Sequence, residues 1–121
     1  MIDSRPLDAR TLLVVVDEAT DRIDALRVQR AILSAVRKGQ ICAIVDMTRI
    51  DDVQPGLLGV LLRARRQLLG IGGSLAVVTS STAAKVFGVT GADDLLARAA
   101  SVEEARAVFA RAGEGERAEE G

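Results

Sequence analysis

Two carboxylate pairs, Asp51-Asp52 and Asp93-Asp94, are the first residues to test for chemistry. A hydrolytic site needs two carboxylates facing each other across a cleft, one with a raised pKa. Sequence neighbours in a polar loop instead stay solvated or cap helices. Asp17, Glu18, Asp46, Asp51 and Asp52 all fall near predicted strand ends, the placement expected of a magnesium site. Phosphoryl transfer there would also need a nearby lysine or hydroxyl. Lys38 and Lys85 are the only lysines, and the pattern places neither at that end. The chain has no histidine, which removes Ser-His-Asp and Cys-His catalysis and the usual zinc sites. Cys42 lies inside an apolar run and reads as a buried, inert thiol. Gly70-Ile71-Gly72-Gly73 sits between helix and strand, so it cannot hold phosphate at a helix N-terminus. It reads as a helix terminator. These residues point to a non-enzyme with no cofactor and no metal.

Composition narrows the class further. At 121 residues the chain makes one domain with a sizeable core. Phe87 and Phe109 are the only aromatics, which argues against base stacking on nucleic acid. A net charge of −1 provides no global attraction to DNA or to an anionic membrane. No apolar run approaches the roughly 18 residues needed to span a bilayer. The start, Met1-Ile2-Asp3-Ser4-Arg5-Pro6, lacks the basic-then-apolar order of a signal peptide, so a cytoplasmic location is expected.

The elements are organised around residues 41–79. Ile41-Cys42-Ala43-Ile44-Val45 is a strand pattern ending at Asp46, followed by a polar loop to Gln54. Pro55-Gly56 opens a helical pattern, Leu57 to Leu69, and Leu75-Ala76-Val77-Val78 returns as a strand. This is a βαβ unit, and such units place function on the loop entering the helix. On the helical wheel Leu57, Leu61, Ala64 and Leu68 form the stripe for the sheet. Leu58, Leu62 and Leu69 form a second stripe, about 100° away. Arg65 falls between the stripes, and Arg63 and Arg66 point outward. The second stripe is either core under a neighbouring helix or an interface.

Ahead of this unit, Leu12-Leu13-Val14-Val15-Val16 predicts a strand buried on both faces. Pro6 limits any earlier strand to an edge hairpin. A helix capped by Thr20 or Asp21 should bury Ala25, Leu26, Val28, Ile32, Leu33 and Val36 and expose Arg27, Arg30, Arg37 and Lys38. After the last strong strand, Thr79 to Thr82 reads as a turn and cap, and Ala83 to Val89 as a short helix. Leu95 to Ala100 is ambiguous between strand and helical turn. Ser101-Val102-Glu103-Glu104 has the form of a capping box, with Val102, Ala105, Val108 and Phe109 buried. The expected fold is α/β, with a mixed, mainly parallel sheet of four to five strands and about four helices. Residues 1–112 form the domain. Residues 113–121 contain no large apolar residue and are expected to be a disordered acidic tail.

Several short segments match one family in order and spacing. They are Ile44-Val45-Asp46-Met47-Thr48, Leu58-Gly59-Val60-Leu61-Leu62-Arg63-Ala64-Arg65-Arg66, Gly73-Ser74-Leu75-Ala76-Val77-Val78, Val89-Thr90-Gly91 and Ser101-Val102-Glu103-Glu104-Ala105. From about Leu12 to Phe109 the chain resembles the STAS domain, the fold of bacterial anti-sigma factor antagonists. In that family the loop ahead of Leu-Gly carries Asp-Ser-Ser-Gly. The resemblance implies that the second serine is phosphorylated by the partner, an anti-sigma factor with a serine-kinase fold. Here those four positions are Gln54-Pro55-Gly56-Leu57, and no serine or threonine lies between Thr48 and Ser74.

The resemblance therefore implies a transcription or stress-response regulator that docks on such a partner and has no phosphoacceptor at Gly56. Its contact edge would be Gln54, Pro55, Gly56, Leu57 and Leu58, extended by Leu62, Arg63, Arg65 and Arg66. Ser80, Ser81 and Thr82 remain alternative acceptors, although caps are the simpler reading. The other reading is a non-phosphorylatable STAS subunit of a larger stress-signalling or transporter-associated assembly, with some other STAS-interacting protein as partner. Homo-oligomerisation is left open. Neither direct nucleic-acid binding nor membrane binding is implied.

Overall fold

Runs of β-branched and aliphatic residues at 11–16, 42–47 and 74–79 make three central strands, each buried on both faces along most of its length. The computed structural model describes residues 2–17, 22–50, 55–80, 85 and 97–110, with the side chains of 22–24 left aside. Its elements are β1 (Ile2–Pro6), β2 (Thr11–Val16), α1 (Arg22–Arg37), β3 (Cys42–Met47), α2 (Pro55–Gly70), β4 (Ser74–Thr79) and β5 (Ala97–Ala99). A further helix, α3, covers residues 102–110. The five strands form one sheet in sequence order. β1 pairs antiparallel with β2, and every later pairing is parallel.

This architecture is the mixed, mainly parallel sheet that the alternating pattern predicts. Pro6 sits on the edge strand, where its missing amide leaves no central ladder position empty. Of the ambiguous segment Leu95 to Ala100, Ala97–Ala99 form the short strand β5, and residues 95–96 lie outside the described residues. Three helices lie among the described residues. The predicted helix from Ala83 to Val89 falls outside them except at Lys85, which is helical and exposed. The Thr20 and Asp21 caps and the tail from residue 113 also lie outside the described residues.

Strand alternation divides the core in two. Leu12, Val14, Val16, Ala43, Val45, Met47, Leu75 and Val77 face one side and pack under α1 and α2. Leu13, Ile44, Ala76 and Val78 face the other, with Ala99 and Ala105. Progressive right-handed crossovers put α1 and α2 side by side on one face, and α3 covers the opposite one. At the start of α3, Ser101 Oγ accepts the Glu104 amide at 3.1 Å, while Glu104 Oε2 accepts the Ala100 amide at 3.3 Å. The capping box is thus present, with its return bond displaced by one residue. Cys42 is half-buried rather than buried, because it is the first residue of β3 and lies at the rim of the sheet.

The helical layer corrects one expectation. α1 buries Ala25, Val28, Ile32 and Ala35, whereas Leu26 is 46% and Leu33 38% exposed. The buried stripe centres between Val28 and Ile32, so Leu26 and Leu33 lie roughly 120–140° from it. The broader face predicted for this helix is narrower in the fold.

Asp8 holds the β1–β2 connection. Its Oδ1 accepts the backbone amides of Arg10 and Thr11, each at 2.8 Å, and its Oδ2 meets Arg106 of α3 at 3.4 Å. The Arg10 amide leads, with Thr11 and Arg106 assisting, in holding the carboxyl below its ordinary 3.8 against a smaller desolvation effect. A depressed folded pKa contributes stability that is complete above the unfolded value and is lost as pH falls through the folded one. Asp8→Ala is expected to cost about 1 kcal/mol at neutral pH. In urea titrations the gap from wild type should narrow as pH drops below about 3.8. An unchanged gap at about pH 3 would show that the carboxylate charge is irrelevant.

Candidate functional site

The β3–α2 connection leaves the carboxyl end of the sheet under several restraints. Asp46 Oδ1 accepts the Thr48 amide at 3.0 Å and the Thr48 hydroxyl at 2.7 Å, closing a tight turn. Arg49 Nη1 meets Asp17 Oδ2 at 3.2 Å, joining the ends of β3 and β2. The Ile50 amide donates to Met47 O at 3.2 Å, and its side chain is 3% exposed, so it pins the loop to the core. Ser80 Oγ donates to Ile50 O at 3.3 Å, which gives that hydroxyl a loop-holding contact. Ser81 and Thr82 lie outside the described residues.

The chain re-enters the described structure at Pro55, the first residue of α2. Proline suits this place because a first-turn amide has no intrahelical acceptor. Gly56 is exposed, and among the described residues a Cβ built there meets no atom within 4 Å. Among the described residues, the first turn of α2 is therefore exposed at Pro55 and Gly56.

The predicted contact residues separate into groups. Pro55, Gly56, Arg63 and Arg66 are exposed. Leu58, Leu62 and Arg65 are half-buried on one flank of α2, and the two leucines pack against the main core. Leu69, the last member of the second stripe, is 48% exposed. The stripe therefore divides between core and surface. Leu57 is corrected: at 0% exposed it belongs to the sheet-facing core and offers no side chain to a partner. Gln54 lies outside the described residues.

Gly59, in the middle of α2, is half-buried, and among the described residues the atom a Cβ there would meet belongs to its own helix. Arg63 Nε donates to Gly59 O at 3.3 Å, and Arg63 Nη2 lies 3.8 Å from where a Cβ would stand. That spacing is an ordinary contact, so Gly59→Ala is expected to raise stability by about 0.5–1 kcal/mol. Thermal unfolding measures it; a lowered midpoint would mean that the glycine serves the isolated fold.

Asp46 and Asp17 are committed to turn and ion-pair contacts. Among the described residues no group of three or more His, Cys, Asp or Glu could hold a metal ion. Among them, too, no helix is long and apolar enough to cross a membrane. Glu18, Asp51, Asp52, Asp93 and Asp94 lie outside the described residues.

Comparison with solved structures places this geometry. Protein TM1081 of Thermotoga maritima superposes with a TM-score of 0.80 at 16% identity, covering 92% of this chain and 90% of that one. An anti-sigma factor antagonist from Mycobacterium paratuberculosis gives 0.76 at 17% identity, covering 90% of this chain and 92% of that one. The unphosphorylated form of the Bacillus anti-sigma factor antagonist SpoIIAA gives 0.73 at 20% identity, covering 87% and 92%. The chain shares the STAS-like fold of these structures. No protein-family model matches the sequence, and no curated protein is significantly similar to it. The STAS-like likeness is therefore one of backbone, and most side chains differ. SpoIIAA has also been solved in a phosphorylated form.

The sequence reading missed the Asp17–Arg49 and Ser80–Ile50 contacts of this STAS-like fold. Both join residues about 30 apart in sequence, and no periodicity signals such pairs.

Proposed function

We propose that the chain is a non-enzymatic interaction module of the anti-sigma factor antagonist kind. It docks on a kinase-fold anti-sigma factor through the start and exposed face of α2, and phosphorylation at the family's serine position cannot release it. The observation that carries this reading is Gly56. An exposed backbone position with no side chain and, among the described residues, no neighbour within 4 Å stands at the helix entrance of an antagonist-like fold. Such a surface admits another protein closely. It has no hydroxyl on which a phosphoryl group, bringing about −1.5 to −2 charge, can be placed. Pro55, Leu58, Leu62, Arg63, Arg65 and Arg66 complete the contact. Competitive binding would free a sigma factor and thereby act on transcription. A cytoplasmic location fits this role.

The test is a binding titration with the kinase-fold anti-sigma factors of the same genome, with and without magnesium ATP. The complex is expected to form and to keep its affinity when ATP is added. Failure to bind any of them, or release on adding ATP, would refute the reading.

A second reading has one specific observation in its favour. Leu69 and Ile71, at the end of α2, are 48% and 51% exposed, an apolar pair suited to subunit contact in a larger assembly. Light scattering on the purified protein separates the two, since a stable oligomer formed by the chain alone favours the assembly.

A further inference from the structure

The helical layer carries a charge pattern that the α2 site does not account for. α1 contains four arginines and one aspartate, and α2 contains three arginines and no acidic residue, on a chain with net charge −1. α1 and α2 pack against one another, so their outer faces form one surface.

The flanks of the two helices can be assigned. A cleft between α1 and β1 is lined by Ala31, Ser34, Ala35 and Lys38, so that flank of α1 faces the sheet edge. The opposite flank, bearing Gln29 and Val36, therefore faces α2, and Leu26 and Leu33 lie at its outer edge. Because both helices run the same way, the flank of α2 turned to α1 is the one bearing Gly56 and Arg63, with Gly59 on the outer face beside Arg66. Leu26 and Leu33 stand two turns apart, about 10 Å along the axis. They are 46% and 38% exposed. Across from them, among the described residues, the α2 backbone is bare at Gly56, and at Gly59 it is screened by the arginine folded back from position 63. Arg30 and Arg37 line the outer rim of α1, and Arg66 that of α2.

We propose that this α1–α2 groove receives an acidic, amphipathic segment of the partner protein. The proposal rests on the reading of α2 as a docking helix, adds α1 as its second wall, and fixes the partner's chemistry. Leucines seven residues apart match apolar anchors spaced over two turns of a docked helix. Glycines let that backbone approach because they carry no side chain. Rim arginines desolvated by docking need carboxylates opposite them, and an uncharged or basic segment would leave them unpaired. A membrane is disfavoured because only two half-exposed leucines accompany the charge. A duplex is disfavoured because the chain's net charge of −1 supplies no global attraction to it.

The probe is a synthetic amphipathic helical peptide with leucines at two-turn spacing and flanking glutamates. It is titrated into the full ¹⁵N-labelled chain alongside its lysine-flanked counterpart, phosphatidylglycerol vesicles and a short DNA duplex. The glutamate peptide alone is expected to shift the amides of Leu26, Arg30, Leu33, Gly59 and Arg63. Its affinity should fall about tenfold or more in Arg30→Glu/Arg37→Glu, and similarly in Leu26→Ser/Leu33→Ser with unchanged fold by NMR. Equal binding of both peptides, or stronger shifts of these amides by vesicles or duplex, would overturn the proposal. So would the same shifts appearing on removal of residues 111–121 without peptide, since the chain's own tail would then be the occupant. The kinase-fold factor separates this proposal from the reading beneath it. If Arg30→Glu/Arg37→Glu leaves that binding intact while a Gly56 substitution abolishes it, the groove proposal fails and the α2 reading stands.

Discussion

Gly73→Ala is expected to lower the unfolding free energy by about 3 kcal/mol or more, enough to deplete soluble protein. Gly73 is buried at the turn from α2 into β4, and a Cβ there would overlap the carbonyl oxygen of Ile41 and crowd its carbonyl carbon. The obstacle is backbone, which cannot rotate away as a side-chain end can. That backbone is also in use: the Gly73 amide donates to Leu68 O at 2.7 Å, and the Ser74 amide donates to Ile41 O at 3.1 Å. Relieving the overlap would pull β4 from β3 where the parallel ladder begins, at Cys42 and Ser74. Neighbouring Gly72 has a different reason to be glycine, its φ of 82°, and a Cβ there meets nothing. Gly72→Ala should therefore cost only about 1 kcal/mol. Chemical denaturation of the two variants side by side measures the difference. Equal losses would show that backbone conformation, and not close approach, governs this turn.

Gly56→Glu is expected to move stability and binding in opposite directions. A carboxylate in the first turn of α2 meets the positive end of the helix dipole, and replacing an exposed helical glycine removes an entropic cost. Among the described residues nothing within 4 Å of the new Cβ resists it, so thermal stability should rise slightly. The same carboxylate stands in for the charge of a phosphoryl group at the proposed contact. Buried without a partner, it should weaken the complex with a kinase-fold anti-sigma factor by about 30-fold or more. Calorimetric titration beside a melting curve reads both effects. Unchanged affinity would remove Gly56 from the interface.

The sheet and the buried face of α2 were legible because their signals are periodic. Continuous apolar runs marked β2, β3 and β4, and a period of 3.6 singled out Leu57, Leu61, Ala64 and Leu68, all buried in the fold. Periodicity failed where a wheel has no sharp edge. Leu26 and Leu33 read as core by type, yet Ala35 took the buried place because the stripe lies a little to their other side. It failed again for glycine, whose letter does not distinguish a positive φ at Gly72 from a close approach at Gly73. Asp8 gave no apolar signal, and its partners Arg10, Thr11 and Arg106 meet only after folding. For the candidate site, sequence resemblance pointed to the loop and helix. It also placed Leu57 among the contacts, although the wheel had already turned that residue inward.

The account depends on the entrance of α2 being the surface that meets the partner. Hydrogen–deuterium exchange on the complex with a kinase-fold anti-sigma factor measures this without any substitution. Slowed exchange is expected in a continuous stretch from Gly56 to Arg66, with magnesium ATP present as well as absent. Protection confined to α3 or to the β1 edge, with that stretch exchanging as in the free chain, would contradict it.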